Sequence, residues 1–564
     1  MRLALATALS TLPAAATEPP VLAAHTRLSG VALSTEQQAM RIEKVVLELR
    51  VDPQQRQLHG DARLTIAATA TLPALVLDLD PRYAIARIEL DGRALAAQRW
   101  ANPDGRLRVD LPRPLAAGRA TTLRVVYDGS PHQAARAPWD GGIVWSKAPT
   151  GEPWIATAVQ GEGCDLLWPC IDHPLGEPVL VEQRITVPAP LVAASNGVLL
   201  GMREHDGLRT YHWRARQPNT YAIALNIGPY ALLEADHRSR FSNVLPLRMW
   251  HLEGNADQAR ALFDELPRML DFFEEVVGPY PWPDEKVGVV ETPHLGMEHQ
   301  TINAYGNGYK RDIHGYDWLM QHELAHEWFG NQMTHRDGDD LWLHEGFAMY
   351  MQPLYLQWLR GDANYFSEML RLRGRIAGKH PLVSGRPAAL RDPAASPGGD
   401  VYDKGAWILH TLRGLVGDAA FRRATTELVY GRTDPRPGNF SPIHRSSADF
   451  IAIVNRVAGR DLGWFFDVYL RSGALPVLQA RRGDGRLQLQ WLTEGDRPFP
   501  LPVQVRIGQR LVDVPMHDGA GSVPIAAGES YTLDPHARVL REQPEVSAWR
   551  AWDAARREVE ANKP

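Results

Sequence analysis

Residues 321–331 read QHELAHEWFGN, which sets His322 and His326 four positions apart with Glu323 directly after the first. An α-helix turns about 100° per residue, so positions i and i+4 stack on one face and two imidazoles aim at one point. Imidazole nitrogens are metal ligands. Glu323 reaches the edge of that point without joining the ligands. A water held there lies between ion and carboxylate, the arrangement that metal-assisted hydrolysis needs.

A catalytic zinc takes three protein ligands and keeps one position open. The third is expected from a neighbouring helix, and DGDDLWLHEGFAMYMQPLYLQWLRG, 337–361, has that pattern. Asp339 or Asp340 is expected to cap it, and Phe347, Tyr350, Met351, Leu354 and Trp358 give it an apolar stripe. Glu345 falls in its first turns, with eighteen residues between it and His326. Two histidines and a glutamate are the ligand set of thermolysin-like hydrolases. Around the histidines, Trp318, Leu319, Leu324, Ala325, Trp328 and Phe329 supply apolar surface, and Gly330 is expected to end the first helix.

The elements that position these residues follow from hydrophobic period. The chain has 564 residues, too many for one core. Over 41–230 the period is two. In KVVLELRVD, Val45, Leu47, Leu49 and Val51 alternate with Val46, Glu48, Arg50 and Asp52; DARLTIAATAT and TLRVVYDG behave alike. Turn signals such as NPDG and SNG separate such runs, so a mostly antiparallel sheet is expected. From about 255 to 472 the period is helical, beginning with ADQARALFDELPRMLDFFEEVVG and its stop at Gly278. Ser446 stands three residues before Asp449, as in a capping box. After SGALPVL the strands return, and the last residues read as a short charged helix or a frayed tail. The resulting division is a leader at 1–24, a β domain at 25–235, a helical domain at 236–475, a small β domain at 476–545 and a tail at 546–564.

Net charge is only −5, which gives no footprint for nucleic acid. No run approaches the roughly 18 apolar residues of a membrane span. Residues 1–24 have a basic Arg2, a short Ala/Leu-rich run and small residues Ala14 to Ala16, the layout of a secretory signal, so export to a periplasm or the exterior is expected. Cys164 and Cys170 are the only cysteines. A local bridge after export and a pair of free thiols both stay open.

HELAHEWFGN and WLHEGFAMY resemble the aminopeptidase N family of zinc metallopeptidases, with His344 where that family usually has Asn. YPWPDEK, VAASNG and WPCIDHP also look like family landmarks, and the resemblance runs from about residue 40 to 545. It implies an α+β multidomain fold: an N-terminal antiparallel β domain of saddle or sandwich form, a thermolysin-like, mainly helical catalytic domain and a small C-terminal β-sandwich. It also implies one Zn2+ per chain on His322, His326 and Glu345, with Glu323 as general base. The family's G-x-M-E-N loop corresponds to LGMEHQ, 295–300. Met297 and Glu298 fit, Gly296 stands at the variable second position, and Leu295 and His299 replace the usual Gly and Asn. The resemblance assigns Glu298 to the substrate's free α-amino group. A carboxylate in a partly desolvated pocket pairs well with an ammonium. Gln160 matches a family position that carries Glu or Gln and can accept from the same ammonium. In DVYDKGAWILHTLR the resemblance assigns Tyr402 to the oxyanion.

The implied activity is removal of N-terminal amino acids from peptides with a free amino end. Three other readings remain at this point: the epoxide-opening branch of the same family, a scaffold that has lost catalysis, and an endopeptidase. No large helical segment follows residue 475, so a more open cleft is expected than in family members that carry one. Oligomeric state and preferred side chain are not encoded in any pattern found.

Overall fold

Alternation builds the first layer. In the computed structural model, which describes residues 22–386, 395–438 and 440–561, the strand Met40–Asp52 buries Val45, Leu47, Leu49 and Val51 on one side. Each such burial is worth about 1.5–3 kcal/mol. This strand lies inside an eight-stranded sheet. It pairs parallel with Leu180–Pro188 and antiparallel with Gln57–Ala68, and every other pairing in that sheet is antiparallel. A four-stranded and a three-stranded sheet share its core through residues such as Ile155, Ile227, Leu75 and Val109. Cys164 and Cys170 are joined by a disulfide in the loop that follows the strand Pro153–Ala158. The expected leader lies outside the described residues except for its last three, 22–24.

A second core joins a five-stranded sheet to the helices. The sheet runs Tyr230–Arg238, Val244–Leu252, Val287–Glu291, Asn303–Tyr305, Gly296–Met297, and the last strand is its edge. The domain boundary expected after residue 235 falls inside its first strand. The helical run expected over 256–278 is two helices, Ala256–Phe263 and Leu266–Val276. Pro267 has no N–H to give to a continuous helix and sits in the first turn of the second one. The capping box at Ser446 and Asp449 is formed at the start of Ser447–Ala458.

Two three-stranded sheets follow, one built on Arg486–Leu492 and one on Val503–Ile507. Their inward residues Leu487, Leu489, Val503 and Val505 are buried in a cluster continuous with that of the helices, so the unit packs directly on the helical core. The tail is a helix, Pro544–Ala561. No helix among the described residues is long and apolar enough to cross a membrane.

Candidate active site

His322 lies on the helix Trp318–Ala325, whose N-cap Asp317 accepts from the Met320 N–H. The helix stops at Ala325, earlier than the end expected near Gly330, because the chain turns at once. The His326 N–H bonds Glu323 and Leu324 carbonyls, and its ring Nδ1 lies 2.8 Å from the Phe329 carbonyl. A carbonyl only accepts, so Nδ1 carries a proton and Nε2 is the nitrogen left to face His322 and Glu345. His326 retains helical angles, φ −68 and ψ −15, so the stacking of His322 and His326 survives, with their Nε2 atoms 3.2 Å apart.

Glu345 stands in the first turn of the helix Trp342–Arg360. Its Oε2 lies 3.5 Å from each of the two Nε2 atoms. Three donors so spaced share a point about 2.0 Å from each, the length of zinc bonds to nitrogen and oxygen. Oε2 is buried and lacks a hydrogen-bond partner among the described residues, a costly state unless a cation takes the lone pair. The donor set fits a zinc ion.

The local field points the same way. Burial alone would raise the Glu345 carboxyl, but the imidazoles of His322 and His326, each 3.5 Å from it, hold it well below the ordinary range. Burial lowers His326, yet Glu298, Glu345 and Glu323 outweigh it and bring its imidazole up to about 10. His322 is lowered, chiefly by burial. Burial, with Glu298 and Glu345 beside it, pushes the Glu323 acid well above the usual carboxylate range. Three buried carboxylates around two imidazoles make a pocket that draws positive charge.

Asp339 and Asp340 do not cap the Trp342 helix. Its N-cap is Leu341, with no side-chain bond. The Asp339 carboxylate accepts from Ser384 and Gly385, and that of Asp340 accepts from the Ser447 N–H and hydroxyl. Both aspartates therefore pin other segments against the helix start. The helix is buried all round as far as Leu356 rather than along one stripe. It meets the helix Asp400–Val416 at two glycines: a Cβ on Gly405 would lie 2.8 Å from the Gly346 Cα. This contact brings Tyr402 to the metal set, with its ring centroid 6.0 Å from that of His322. Burial, then the charges of Glu345, Glu298 and Glu323, raise its phenol well above its ordinary value.

The edge strand carries the remaining residues. Gly296 pairs with Tyr305 and Met297 with Ala304. Met297 is buried with Val159, Leu166, Tyr221 and Ala222. Glu298, Glu323 and His326 each place a donor atom within 4.8 Å of one another. Glu298 Oε1 accepts from Gln160 Nε2 and, at 2.8 Å, from the Tyr221 hydroxyl. Since a carboxylate only accepts, the Gln160 amide nitrogen faces Glu298 and its carbonyl oxygen is left for another donor. Burial raises the Glu298 carboxyl, partly offset by His326. His299 is fully buried and neutral, pushed down to about 3 by burial and by His294.

The landmark segments turn out to hold this loop. Glu327 accepts from the Thr301 N–H at 2.8 Å and from Asn303, and Asn331 donates to the Glu298 carbonyl. Asn196 donates to the Gln300 carbonyl, and the Gly197 N–H to the Thr301 hydroxyl. Lys286 ties down the carbonyls of Ser195 and Gly197. Thr301 is thereby kept at φ +59, costly for a β-branched residue. His344 accepts from the His335 N–H at 2.9 Å. Tyr221 carried no signal in the sequence, because it reaches Glu298 from a short turn 77 positions away.

A cavity of about 550 Å³ is lined by Gln160, Glu298, His322, Glu323, His326 and Tyr402, among others. A second, of about 540 Å³, shares Trp139, Gln160, Gly161, Gly399 and Tyr402 with it and extends toward His173 and His335.

Residues 262–469 match the Peptidase family M1 domain. Aminopeptidase M1-B of Oryza sativa subsp. japonica is 24% identical over 492 residues, covering 80% of this chain and 52% of that protein. Tricorn protease-interacting factor F2 of Thermoplasma volcanium is 22% identical over 411 residues, covering 67% of this chain and 49% of that protein. The chain thus spans about half the length of these curated relatives. Among solved structures, a mutant M1 zinc metallopeptidase from Deinococcus radiodurans bound to a Tyr-Ser-Ala substrate is 27% identical, with a TM-score of 0.66 and coverage of 79% of this chain and 98% of that one. A two-domain M1 zinc metallopeptidase bound to L-tryptophan has a TM-score of 0.67, again at 27% identity and the same coverage. Domain match, relatives and solved neighbours agree with the HExxH and Glu345 geometry: residues 262–469 carry the Peptidase family M1 domain, and the chain is similar to M1 zinc metallopeptidases.

Proposed function

We propose that the chain is a zinc-dependent aminopeptidase that releases the first residue of peptides with a free amino end. The observation that carries this reading is Glu298, a buried carboxylate oriented by Gln160 and Tyr221 and set within 4.8 Å of Glu323 and His326. An ammonium bound there leaves room for one residue before the reacting carbonyl, which favours an exopeptidase over an endopeptidase.

His322, His326 and Glu345 would hold the zinc, which supplies Lewis-acid polarisation of a carbonyl and activation of water. Glu323 accepts the proton of the attacking water and returns it to the leaving amine. Tyr402 donates its phenol proton in a hydrogen bond to the carbonyl oxygen as charge builds there. Glu298 and the Gln160 carbonyl hold the amino end in register. The relative that binds Tyr-Ser-Ala supports a peptide substrate. The complete donor set and the adjacent acid favour catalysis over a scaffold role.

The test is a panel of aminoacyl-nitroanilides, their N-acetyl forms and a lipid epoxide, each with and without a chelator. Chelator-sensitive hydrolysis of the unblocked anilides alone is expected. Equal cleavage of acetylated substrates, or turnover of the epoxide only, overturns the reading. Glu323→Ala should keep its zinc and lose about 10²–10⁴-fold in kcat.

We also propose export. Residues 1–24 have the layout of a signal, and the Cys164–Cys170 disulfide suits an oxidising compartment. Cell fractionation with amino-terminal sequencing tests this; a cytosolic protein that keeps its leader contradicts it.

A further inference from the structure

We propose that Asp312, His314 and Glu368 form a second divalent-metal site, which clamps the loop entering the His322 helix onto the helix Asp362–Arg373. The three residues each present a ligand atom, and all three atoms lie within 4.8 Å of one another. His314 Nε2 is 3.7 Å from Glu368 Oε2. The site is independent of the proposed peptidase activity, since none of its residues lines either cavity.

Two observations point to a ligand rather than to a surface cluster of acids. His314 is 8% exposed, and its Nε2 has no hydrogen-bond partner among the described residues. The hydroxyl of Tyr316, 3% exposed, also lacks one. Buried polar atoms left unpaired are costly, and a bound ion with its water would satisfy both. Glu368 is fully buried.

The loop is already shaped for ligation. Asp312 accepts from the His314 N–H at 2.8 Å, and the Gly315 N–H bonds the Asp312 carbonyl, so Asp312 and His314 project from one tight turn. Arg371 grips Glu368 through Nε and Nη2. That pairing uses one lone pair on each oxygen and leaves the others available. It also offsets part of the negative charge, so the site favours a dication with a nitrogen ligand over one held by oxygen charge alone. An imidazole with two carboxylates suits zinc or manganese better than calcium, which takes six to eight oxygens.

The experiment uses the full chain, stripped with chelator, reloaded with zinc, desalted and assayed by elemental analysis, with thermal melting in parallel. Wild type is expected to retain a second equivalent of zinc and to melt higher as that equivalent binds. His314→Ala and Glu368→Gln should lose the second equivalent and its thermal shift while keeping the first. His326→Ala should do the reverse. If Glu368→Gln fails to fold, Asp312→Asn, at the half-buried end of the cluster, gives the same reading. A wild type that saturates at one equivalent, or a His314→Ala chain that binds as much zinc as wild type, overturns the proposal; either result would leave only a histidine–carboxylate contact at this place.

Discussion

Gly296 and Glu323 approach so closely that a Cβ on Gly296 would stand 2.3 Å from Glu323 Oε1 and 2.8 Å from Leu319 Cδ1. The edge strand therefore sets the position of the acid beside the metal donors. Gly296→Ala is expected to retain zinc, because none of its ligands is touched, and to lose about 10²-fold in kcat through displacement of the Glu323 carboxylate. Zinc analysis beside steady-state kinetics checks both halves; unchanged kcat would show that the carboxylate has room to move.

The glycine pair at the helix crossing makes a comparable demand on Tyr402. Gly405→Ala forces a methyl group against the Gly346 backbone, an overpacking cost of about 1–3 kcal/mol. The expected outcome is a lower melting temperature together with a fall in kcat, as the helix carrying Tyr402 moves away from Glu345. A variant that melts lower with full activity would separate Tyr402 from the reaction.

The proposed amine binding rests on a shared acceptor. Tyr221→Phe and Gln160→Ala each remove one donor from Glu298. A hydrogen bond to a charged group is worth about 1.5–3 kcal/mol, so kcat/KM for an unblocked aminoacyl-nitroanilide should fall about 10- to 100-fold, mostly through KM. An effect confined to kcat would assign these residues to the chemical step instead.

Glu177 predicts a pH dependence of stability. Its carboxyl, accepting from Thr334 at 3.1 Å, is raised by burial from 4.5 to about 8. The folded chain therefore binds this proton more tightly than the unfolded one. The resulting stability is full below about pH 4.5 and is lost as pH rises through about 8. Glu177→Gln, which keeps an acceptor for Thr334, should melt higher than wild type at pH 8.5 and lose that advantage near pH 4.5. Parallel melting curves with the same offset at both pH values would contradict the assignment.

Much of the site was legible in the sequence because helical spacing converts directly to geometry. His322, His326 and Glu345 needed only two helices and a count of residues. The strands of the first layer were equally plain, since a period of two leaves no ambiguity about which side is buried. The failures came where long-range contacts override local pattern. Asp339 and Asp340 look like caps but serve Ser384 and Ser447, far along the chain. Tyr221 sits in no motif and matters only because folding brings it to Glu298.

The proposed ammonium pocket is split between two layers of the molecule. Gln160 and Tyr221 come from the amino-terminal β portion, whereas Glu298 sits at the rim of the sheet that carries the helices. In the proposed reading, holding the ion and gripping the amino end of a peptide therefore fall to different portions of this chain. Cutting away everything before residue 230 would spare all three metal donors and dismantle the grip on the substrate's leading end.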